Sequence, residues 1–126
     1  MEEMEVKKPR DIRERTFKFA LDVVRLCRGL EERPGVRRTL AKQLLRSGTS
    51  IGANVEEGQA GQSRADFANK YAIALKEARE TIYWLRLLKE SGECDELKGD
   101  KLEREAREIA KVLGAIIVNT KNKSKK

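Results

Sequence analysis

The chain has 126 residues, of which 39% are charged and 39% hydrophobic, and it carries a formal net charge of +7. That length fits a single domain with a core of its own, and the abundance of Leu, Ala, Lys, Arg and Glu favours long helices over strands. Histidine is absent and the two cysteines, Cys27 and Cys94, belong to no CxxC pair, so we expect no metal site, no disulfide framework and no cofactor.

The first predicted helix covers roughly residues 11–30. Its apolar stripe, at alternating steps of four and three, consists of Ile12, Thr16, Phe19, Val23, Leu26 and Leu30. The helix ends before Pro34, because the residue that precedes a proline is pushed out of the α region. Cys27 follows Val23 at helical spacing, so we interpret it as a small core residue, and Cys94 as a free thiol in a polar connector.

The second predicted helix, roughly residues 36–58, contains the stretch RSGTSIGANVEEG, whose glycines could also indicate a phosphate-binding loop or a helix break near Gly48 or Gly52. The four-three step continues straight through it, on Leu40, Leu44, Ser47, Ile51, Asn54 and Gly58. A phosphate loop has no reason to keep a helical period and would need a strand before it. We therefore predict a helix whose glycines let another helix approach closely, because that packing must offset a cost of about 1 kcal/mol per glycine.

The third predicted helix covers roughly residues 63–91, with Ser63 and Asp66 as a capping box and Gly92 as its left-handed end. Its stripe consists of Phe67, Tyr71, Ala74, Ala78, Thr81, Leu85 and Leu88, while Ile73, Ile82, Tyr83, Trp84 and Leu87 lie off that stripe. One bundle cannot easily cover an apolar surface this wide, so we predict a homo-oligomer.

The fourth predicted helix covers roughly residues 96–120, begins at Asp95 or Asp100, and is followed by a basic tail, residues 121–126. Its stripe consists of Leu102, Ala106, Ile109, Leu113, Ile116 and Thr120. Four amphipathic helices with short connectors predict an all-α fold, an antiparallel up-and-down four-helix bundle that forms one domain over residues 1–126. The N-terminus, MEEMEVKKPR, is polar and the run VLGAIIV is too short to span a membrane, so we expect a cytoplasmic protein without membrane contact.

Basic side chains form the candidate nucleic-acid-binding set. They are Arg37, Arg38, Lys42 and Arg46 on the polar side of the second helix, Arg64 in the third, and Lys121, Lys123, Lys125 and Lys126 in the tail. Such cations bind polyanions by releasing counterions and without reading base sequence; the alternative is that they form solvated faces that keep the protein soluble. The aromatic side chains that could stack bases are Phe67, Tyr71, Tyr83 and Trp84, although their spacing fits the core or a subunit interface better.

Asn54 and Glu57 share a helix face. Because Asn54 lies on the apolar stripe, where an unpaired amide costs free energy, we predict a hydrogen-bonded polar pair that fixes the bundle's register or caps the turn at Gly58. The alternatives are a ligand-contact site and a catalytic carboxylate. Sequence indicates no second carboxylate, histidine or activated nucleophile beside them, so we expect no catalytic residue and no enzyme.

The segment Gln43 to Leu88, QLLRSGTSIGANVEEGQAGQSRADFANKYAIALKEARETIYWLRLL, resembles the four helix bundle protein family, whose founding members are encoded in intervening sequences of bacterial 23S ribosomal RNA genes. The family's pattern is roughly S-I-x-x-N-x-x-E-G, a polar turn, and S-x-x-[DE]-F. Its positions correspond to Ser50, Ile51, Asn54, Glu57, Gly58, Ser63, Asp66 and Phe67. The segment REIAKVLGAII is similar to the family's last helix.

The resemblance implies a ring-like homopentamer and a likeness in fold to the accessory variability determinant proteins of diversity-generating retroelements. Those basic pentamers bind nucleic acid and work with a reverse transcriptase. The resemblance also implies that the motif residues are architectural. We therefore expect a non-enzymatic oligomeric scaffold that binds RNA or DNA mainly through backbone phosphates, with itself, nucleic acid and a reverse transcriptase as partners. The alternative is a protein–protein interaction module of the same fold that binds no nucleic acid.

Overall fold

The computed structural model describes residues 11–124 and shows helices α1 (Ile12–Leu30), α2 (Val36–Gln59), α3 (Arg64–Glu90) and α4 (Glu96–Ser124). Each helix packs against the next along the chain and α4 returns to α1, so within residues 11–124 α1 lies diagonally opposite α3. The predicted all-α four-helix bundle is confirmed, and no strand occurs in the described part of the chain. None of the helices in that part is long and apolar enough to cross a membrane.

The helix bounds agree with the predicted ones to within one residue except at the end of α4. The helix continues to Ser124 instead of ending near residue 120, so Lys121 and Lys123 extend the helix and do not form a frayed tail. No proline or glycine follows Thr120, and lysines in the last turn interact favourably with the negative end of the helix dipole.

The apolar stripes predicted from the four-three step form most of the core, with local shifts to a neighbouring residue. In α1, Cys27 is buried as predicted, while its neighbour Leu26 is only partly buried. In α2, Ala41 and Val55 are buried next to the predicted Leu40 and Asn54, and in α4 Ile117 is buried next to the predicted Ile116. Leu26 and Ile116 pack against the edge of the same core. The shifts follow from the period of 3.6 residues, because the next inward position can fall on either of two neighbouring residues.

The glycine-rich stretch of α2 is one continuous helix, as predicted, and its glycines permit close approach on two sides. A Cβ atom at Gly48 would lie 3.0 Å from both methyl groups of Val23 in α1, and one at Gly52 would lie 3.3 Å from Thr16 Oγ1. On the other side, a Cβ atom at Gly58 would lie 2.8 Å from the ring of Tyr71 in α3. The missing side chains therefore let α2 pack tightly between α1 and α3.

Buried hydroxyl groups occur where α2 meets its neighbours. Ser47 of α2 and Thr81 of α3 are both fully buried, and their hydroxyl oxygens lie 2.9 Å apart in a hydrogen bond. The buried Thr16 hydroxyl donates to the Ile12 carbonyl oxygen at 2.9 Å within α1. Each of these buried hydroxyl groups has a hydrogen-bond partner, so none destabilises the fold as an unsatisfied polar group would.

Side chains cap the starts of three helices. The Ser63 hydroxyl accepts the backbone N–H of Asp66 at 3.1 Å, which confirms the predicted cap of α3. In a standard capping box the Asp66 carboxylate would accept a hydrogen bond from the backbone N–H of Ser63. Here it accepts one from the N–H of Gln62 instead, at 3.3 Å. Asp95 is the residue that begins α4, since its carboxylate accepts the N–H of Lys98 at 3.0 Å.

Asp11 is the third of these caps: its carboxylate accepts the N–H of Arg13 at 2.9 Å and begins α1. At the other end of α3, Gly92 has the predicted left-handed conformation, with φ of 77°. The connector that follows contains the half-buried free thiol of Cys94.

The apolar surface of α3 is narrower than predicted. Ile82 and Trp84 are partly buried and pack against the core, so the bundle itself covers much of what lay off the predicted stripe. Tyr83 and Leu87 remain exposed, at 55% and 37% of their surface. Outside α3, Phe17 of α1 is another exposed apolar side chain, with 64% of its surface accessible.

The Gly58→Ala substitution tests the close contact between α2 and α3. The new methyl group would meet the ring of Tyr71, which is fully buried and stacked on Phe67 with ring centroids 4.1 Å apart. We expect the free energy of unfolding to fall by about 1–3 kcal/mol, as overpacking typically costs, despite the better helix propensity of alanine. Chemical denaturation followed by circular dichroism measures the change.

Gly114 provides the matched control, because it lies within α4 and nothing stands within 4 Å of the position that its Cβ atom would take. Gly114→Ala should raise the free energy of unfolding by about 0.5–1 kcal/mol. Stabilisation by both substitutions would contradict the close approach at Gly58.

The Ser63→Ala substitution tests the cap of α3. It removes the hydroxyl that accepts the N–H of Asp66 and should lower the free energy of unfolding by about 1 kcal/mol. Ser63→Asp, which supplies another good capping oxygen, should retain most of the wild-type stability. A thermal melt of Ser63→Ala that coincides with that of the wild type would show that the cap contributes nothing.

Candidate nucleic-acid interface

The basic residues predicted on α2 are exposed or half-buried, but each already forms an ion pair or a hydrogen bond with an acidic or carbonyl group. The Arg38 guanidinium donates to the Glu31 carbonyl oxygen at 3.1 and 2.9 Å. The Lys42 ammonium lies 3.6 Å from the carboxylate of the same Glu31. Arg37 Nε lies 3.1 Å from Glu93 Oε1, in the connector between α3 and α4.

Arg46 reaches from α2 to α3, where it pairs with Glu77 at 3.4 Å and also with Glu80. The same Glu80 carboxylate accepts the indole N–H of Trp84 at 2.9 Å. Three of the four cations predicted on α2 thus pair with carboxylates, and the fourth, Arg38, donates to a backbone carbonyl. Exposed ion pairs are worth about 0–1 kcal/mol, so a phosphate could still displace one, but it would have to compete with the carboxylate.

The remaining predicted cations lie near the far end of the bundle. Arg64 Nη1 donates to the Lys123 carbonyl oxygen at 3.3 Å, which joins the start of α3 to the end of α4. Lys121 and Lys123 are exposed in the last turns of α4. Lys125 and Lys126 lie outside the described residues.

Another group of cations has no carboxylate partner among residues 11–124, and all of its members are exposed. They are Arg28, Arg33, Lys76, Arg79, Lys98, Lys101, Arg104, Lys121 and Lys123. Most belong to α3 and α4, so the exposed cations without a carboxylate partner lie mainly on those two helices and not on α2.

Four exposed residues of α3 form a stripe, which we call the outer face of α3: Lys76, Arg79, Tyr83 and Arg86. They keep the four-three step of the core stripe on the opposite side of the helix. Sequence analysis did not single them out as a group. The signal was present, because an exposed stripe that alternates cations with an aromatic residue differs from the mixed charges of the other surfaces.

The residues of the predicted motif pack the turn between α2 and α3. Ile51 is fully buried, and the Ser50 hydroxyl donates to the Arg46 carbonyl oxygen at 2.6 Å. Phe67 stacks on Tyr71, whose hydroxyl accepts the side-chain amide of Gln59 at 2.7 Å. Burial raises the pKa of Tyr71, which stays a neutral hydrogen-bonding group. The motif therefore has structural partners throughout.

The predicted pairing of Asn54 with Glu57 is wrong. Asn54 Nδ2 donates to the Ser50 carbonyl oxygen one turn earlier, at 2.9 Å, while Glu57 points to α3 and lies 2.7 Å from the ammonium of Lys70. The Ser50 carbonyl oxygen, which accepts the helical N–H of Asn54, has a second lone pair, and the side-chain amide donates to it. The two side chains therefore form no common site.

The Cys27 thiol lies in the core of the described bundle. Burial raises the pKa of Cys27 to about 12, so its thiol remains protonated, and its Sγ atom contacts the Ala41 carbonyl oxygen at 3.4 Å. Within residues 11–124 no three Cys, Asp or Glu side chains are grouped so as to hold a metal ion.

The most polar side-chain cluster joins α3 to α4. The Lys89 ammonium lies 2.5 Å from Asp100 and 2.7 Å from Glu103, and Glu103 also pairs with Arg107. These carboxylates raise the pKa of Lys89. Burial alone would raise the pKa of Glu103, but its hydrogen bonds from Lys89 and Arg107 outweigh burial and lower it. The cluster is an ion-pair network that joins α3 to α4.

An apolar groove, the α1–α2 groove, lies on the other side of the molecule. Its volume is about 360 Å³, and it is lined mainly by Phe17, Ala20, Leu21, Val24, Gly52 and Ala53. Arg13 on the α1 wall and Glu56 on the α2 wall give its rim opposite charges. Exposed apolar concavities of this kind mark contact sites in soluble proteins.

Comparisons with known proteins agree with the fold. A model of the 23S rRNA-intervening sequence protein family matches residues 8–115. A solved structure of a protein with unknown function, from the S23 ribosomal protein family of Bacteroides thetaiotaomicron VPI-5482, is 42% identical with a TM-score of 0.79. That match covers 85% of this chain and 98% of the other. The search of curated proteins gave no match.

Proposed function

The chain belongs to the 23S rRNA-intervening sequence protein family, and from this premise we propose that it is a non-enzymatic, oligomeric scaffold that binds nucleic acid through backbone phosphates. One observation carries the proposal: several exposed cations of α3 and α4, among them Lys76, Arg79 and Arg104, have no carboxylate partner among the described residues. Cations left unneutralised on one side of a protein of net charge +7 create a positive potential that attracts a polyanion.

Because the cations of α2 are engaged in ion pairs, the proposed nucleic-acid contact lies on other residues than those first predicted. Arg37, Lys42 and Arg46 already form ion pairs with carboxylates, whereas Lys76, Arg79 and Arg104 do not. A phosphate binding to α2 must displace a carboxylate, and a phosphate binding to α3 or α4 displaces only water and mobile ions. The proposed phosphate-binding surface therefore consists of the outer face of α3 and the unpaired cations of α4, which are Lys98, Lys101, Arg104, Lys121 and Lys123.

The absence of enzymatic activity is part of the proposal. The sequence has no histidine, the Cys27 thiol is buried with a raised pKa, and Asn54 and Glu57 have structural partners that separate them. A general base or nucleophile needs an accessible group in reach of another that activates it. Binding without chemistry fits these residues better.

Self-association is proposed through the α1–α2 groove. The groove exposes Phe17 and Leu21 to solvent, and its walls carry Arg13 on one side and Glu56 on the other. A second copy of the chain can present the opposite charge to each wall while covering the apolar floor. The number five comes from the resemblance to pentameric relatives, which also supplies a reverse transcriptase as the proposed protein partner.

A protein–protein interaction module is the second candidate function, and the α1–α2 groove is the observation that favours it. The two functions differ in one property, because only the first requires a salt-dependent affinity for nucleic acid.

Salt dependence tests the phosphate contacts. We expect the logarithm of the affinity for RNA to fall linearly with the logarithm of salt concentration, with a slope of about −0.7 to −0.9 per phosphate contacted. The double variant Lys76→Gln, Arg79→Gln should flatten that slope, because it removes two unpaired cations. Fluorescence anisotropy titrations over a series of salt concentrations measure both quantities.

The double variant Arg37→Gln, Lys42→Gln is the matched control, because it removes the same charge from side chains that are already paired. Its slope should stay close to that of the wild type. If both double variants flatten the salt slope equally, α2 also contacts the phosphates. If the folded protein binds no RNA at low salt, the protein–protein interaction module is the better account.

The Phe17→Ser substitution tests self-association. Phe17 is 64% exposed, so the substitution should spare the fold while removing the main apolar side chain of the groove. We expect the wild type to be an oligomer at micromolar concentration by multi-angle light scattering, and the variant to shift to a smaller mass. Val36→Ser changes an apolar residue of similar exposure, 63%, outside the groove and should leave the mass unchanged. A monomeric wild type would refute the proposal.

A further inference from the structure

Tyr83 is the exposed aromatic residue of α3. The other aromatic side chains of this helix are covered: Tyr71 is fully buried, Phe67 stacks on it, and Trp84 is half-buried against the core. Tyr83 instead has 55% of its surface exposed, on the outer face of α3. An exposed ring that the bundle does not need is available to a ligand.

The neighbouring side chains fix the plane of this ring. Glu80 accepts the indole N–H of Trp84 at 2.9 Å, and the carboxylate is itself held by Arg46. Tyr83 meets Trp84 edge to face, with ring centroids 5.1 Å apart and an angle of 74° between the planes. An edge-to-face contact with one neighbour occupies at most one face of the Tyr83 ring, so at least one face is left without an aromatic partner.

Cations stand on both sides of Tyr83 along the helix. Arg79 precedes it by one turn and Arg86 follows it by nearly one turn, with Lys76 one turn further away. Lys76 and Arg79 have no carboxylate partner among residues 11–124, and Arg86 has one exposed partner, Glu90, at 3.5 Å. At about 1.5 Å per residue, this row of charges extends over roughly 15 Å.

The adjacent helix adds to the same charge. Lys89 contacts Asp100 near one end of the α3–α4 pair, and Arg64 reaches the Lys123 carbonyl near the other. The two helices therefore run antiparallel, and α4 carries Arg104, which is exposed and without an ion-pair partner in the described chain.

We infer that the outer face of α3 binds single-stranded nucleic acid, with one base stacked on Tyr83 and the flanking phosphates on Lys76, Arg79 and Arg86. The inference rests on the proposed nucleic-acid binding and adds its substrate class. In a duplex the base faces are stacked on each other and cannot reach the ring, whereas a single strand can turn a base onto it. A phosphate backbone also supplies an anion at every nucleotide, which suits cations on both sides of one aromatic residue.

Substitutions at Tyr83 separate stacking from charge. The probe is a fluorescent oligouridylate of about 12 nucleotides, with an RNA duplex of the same length for comparison. Tyr83→Leu keeps an apolar side chain but removes the ring, and we expect it to weaken binding of the single strand about tenfold, toward the lower end of what stacking is worth. Binding of the duplex should not change, and Tyr83→Phe, which keeps the ring, should bind the single strand like the wild type.

Two further variants are matched to these. Val36→Ser removes an apolar side chain that is 63% exposed and lies outside the α1–α2 groove, and it should leave the affinity for the single strand unchanged. Arg79→Gln should flatten the salt dependence by about 0.7, one phosphate contact on a single strand, while Tyr83→Leu should lower the affinity at every salt concentration without changing the slope.

The inference is overturned if Tyr83→Leu binds the single strand as tightly as the wild type, or if it loses single strand and duplex equally. It is also overturned if Tyr83→Leu changes the mass of the assembly instead of RNA binding, because the ring would then belong to a protein contact. A wild type that binds duplex with the expected salt dependence but not the single strand would defeat this inference alone. A folded wild type that binds neither RNA at low salt would reject the proposed function itself.

Discussion

The close approach of α2 to both of its neighbours is the constraint on which the arrangement of the bundle depends. Gly48 and Gly52 bring α2 against Val23 and Thr16 of α1, and Gly58 brings it against Tyr71 of α3. Each glycine lowers the intrinsic stability of the helix by about 1 kcal/mol, and only packing contacts can offset that loss. Because α2 is held between α1 and α3, those two helices lie diagonally opposite each other and present their outer surfaces in different directions.

This geometry separates the two surfaces to which functions are proposed. The α1–α2 groove gathers exposed apolar side chains around Phe17, while the outer face of α3 carries cations and Tyr83. A copy of the chain that covers the groove would leave the outer face of α3 uncovered, so self-association and nucleic-acid binding can take place on one molecule. Copies joined in this way would repeat the basic surface around an assembly, and several weak phosphate sites acting together bind more tightly than one.

The sequence was sufficient for those features that depend on short-range periodicity. The four-three step identified all four helices and carried α2 through its glycines, and the Ser63 cap followed from its position before the third stripe. The step could not decide between neighbours such as Ile116 and Ile117, because the helical period falls between them. Nor could it reveal that the cations of α2 face Glu31, Glu77, Glu80 and Glu93, since those contacts depend on how helices and connectors meet. Tyr83 and Trp84 are adjacent in sequence, and a rotation of about 100° on the helix makes one of them exposed and the other half-buried.

Ultraviolet cross-linking of an oligouridylate to the intact protein, followed by mass spectrometry of tryptic peptides, tests the central claim most directly. The claim is that the outer face of α3, and not the basic side of α2, contacts nucleic acid. The account predicts cross-links on the peptide ETIYWLR, residues 80–86, which contains Tyr83. Those cross-links should disappear at high salt, because phosphate contacts hold the strand in place. Cross-links confined to α2, or none in the folded protein at low salt, would contradict the account.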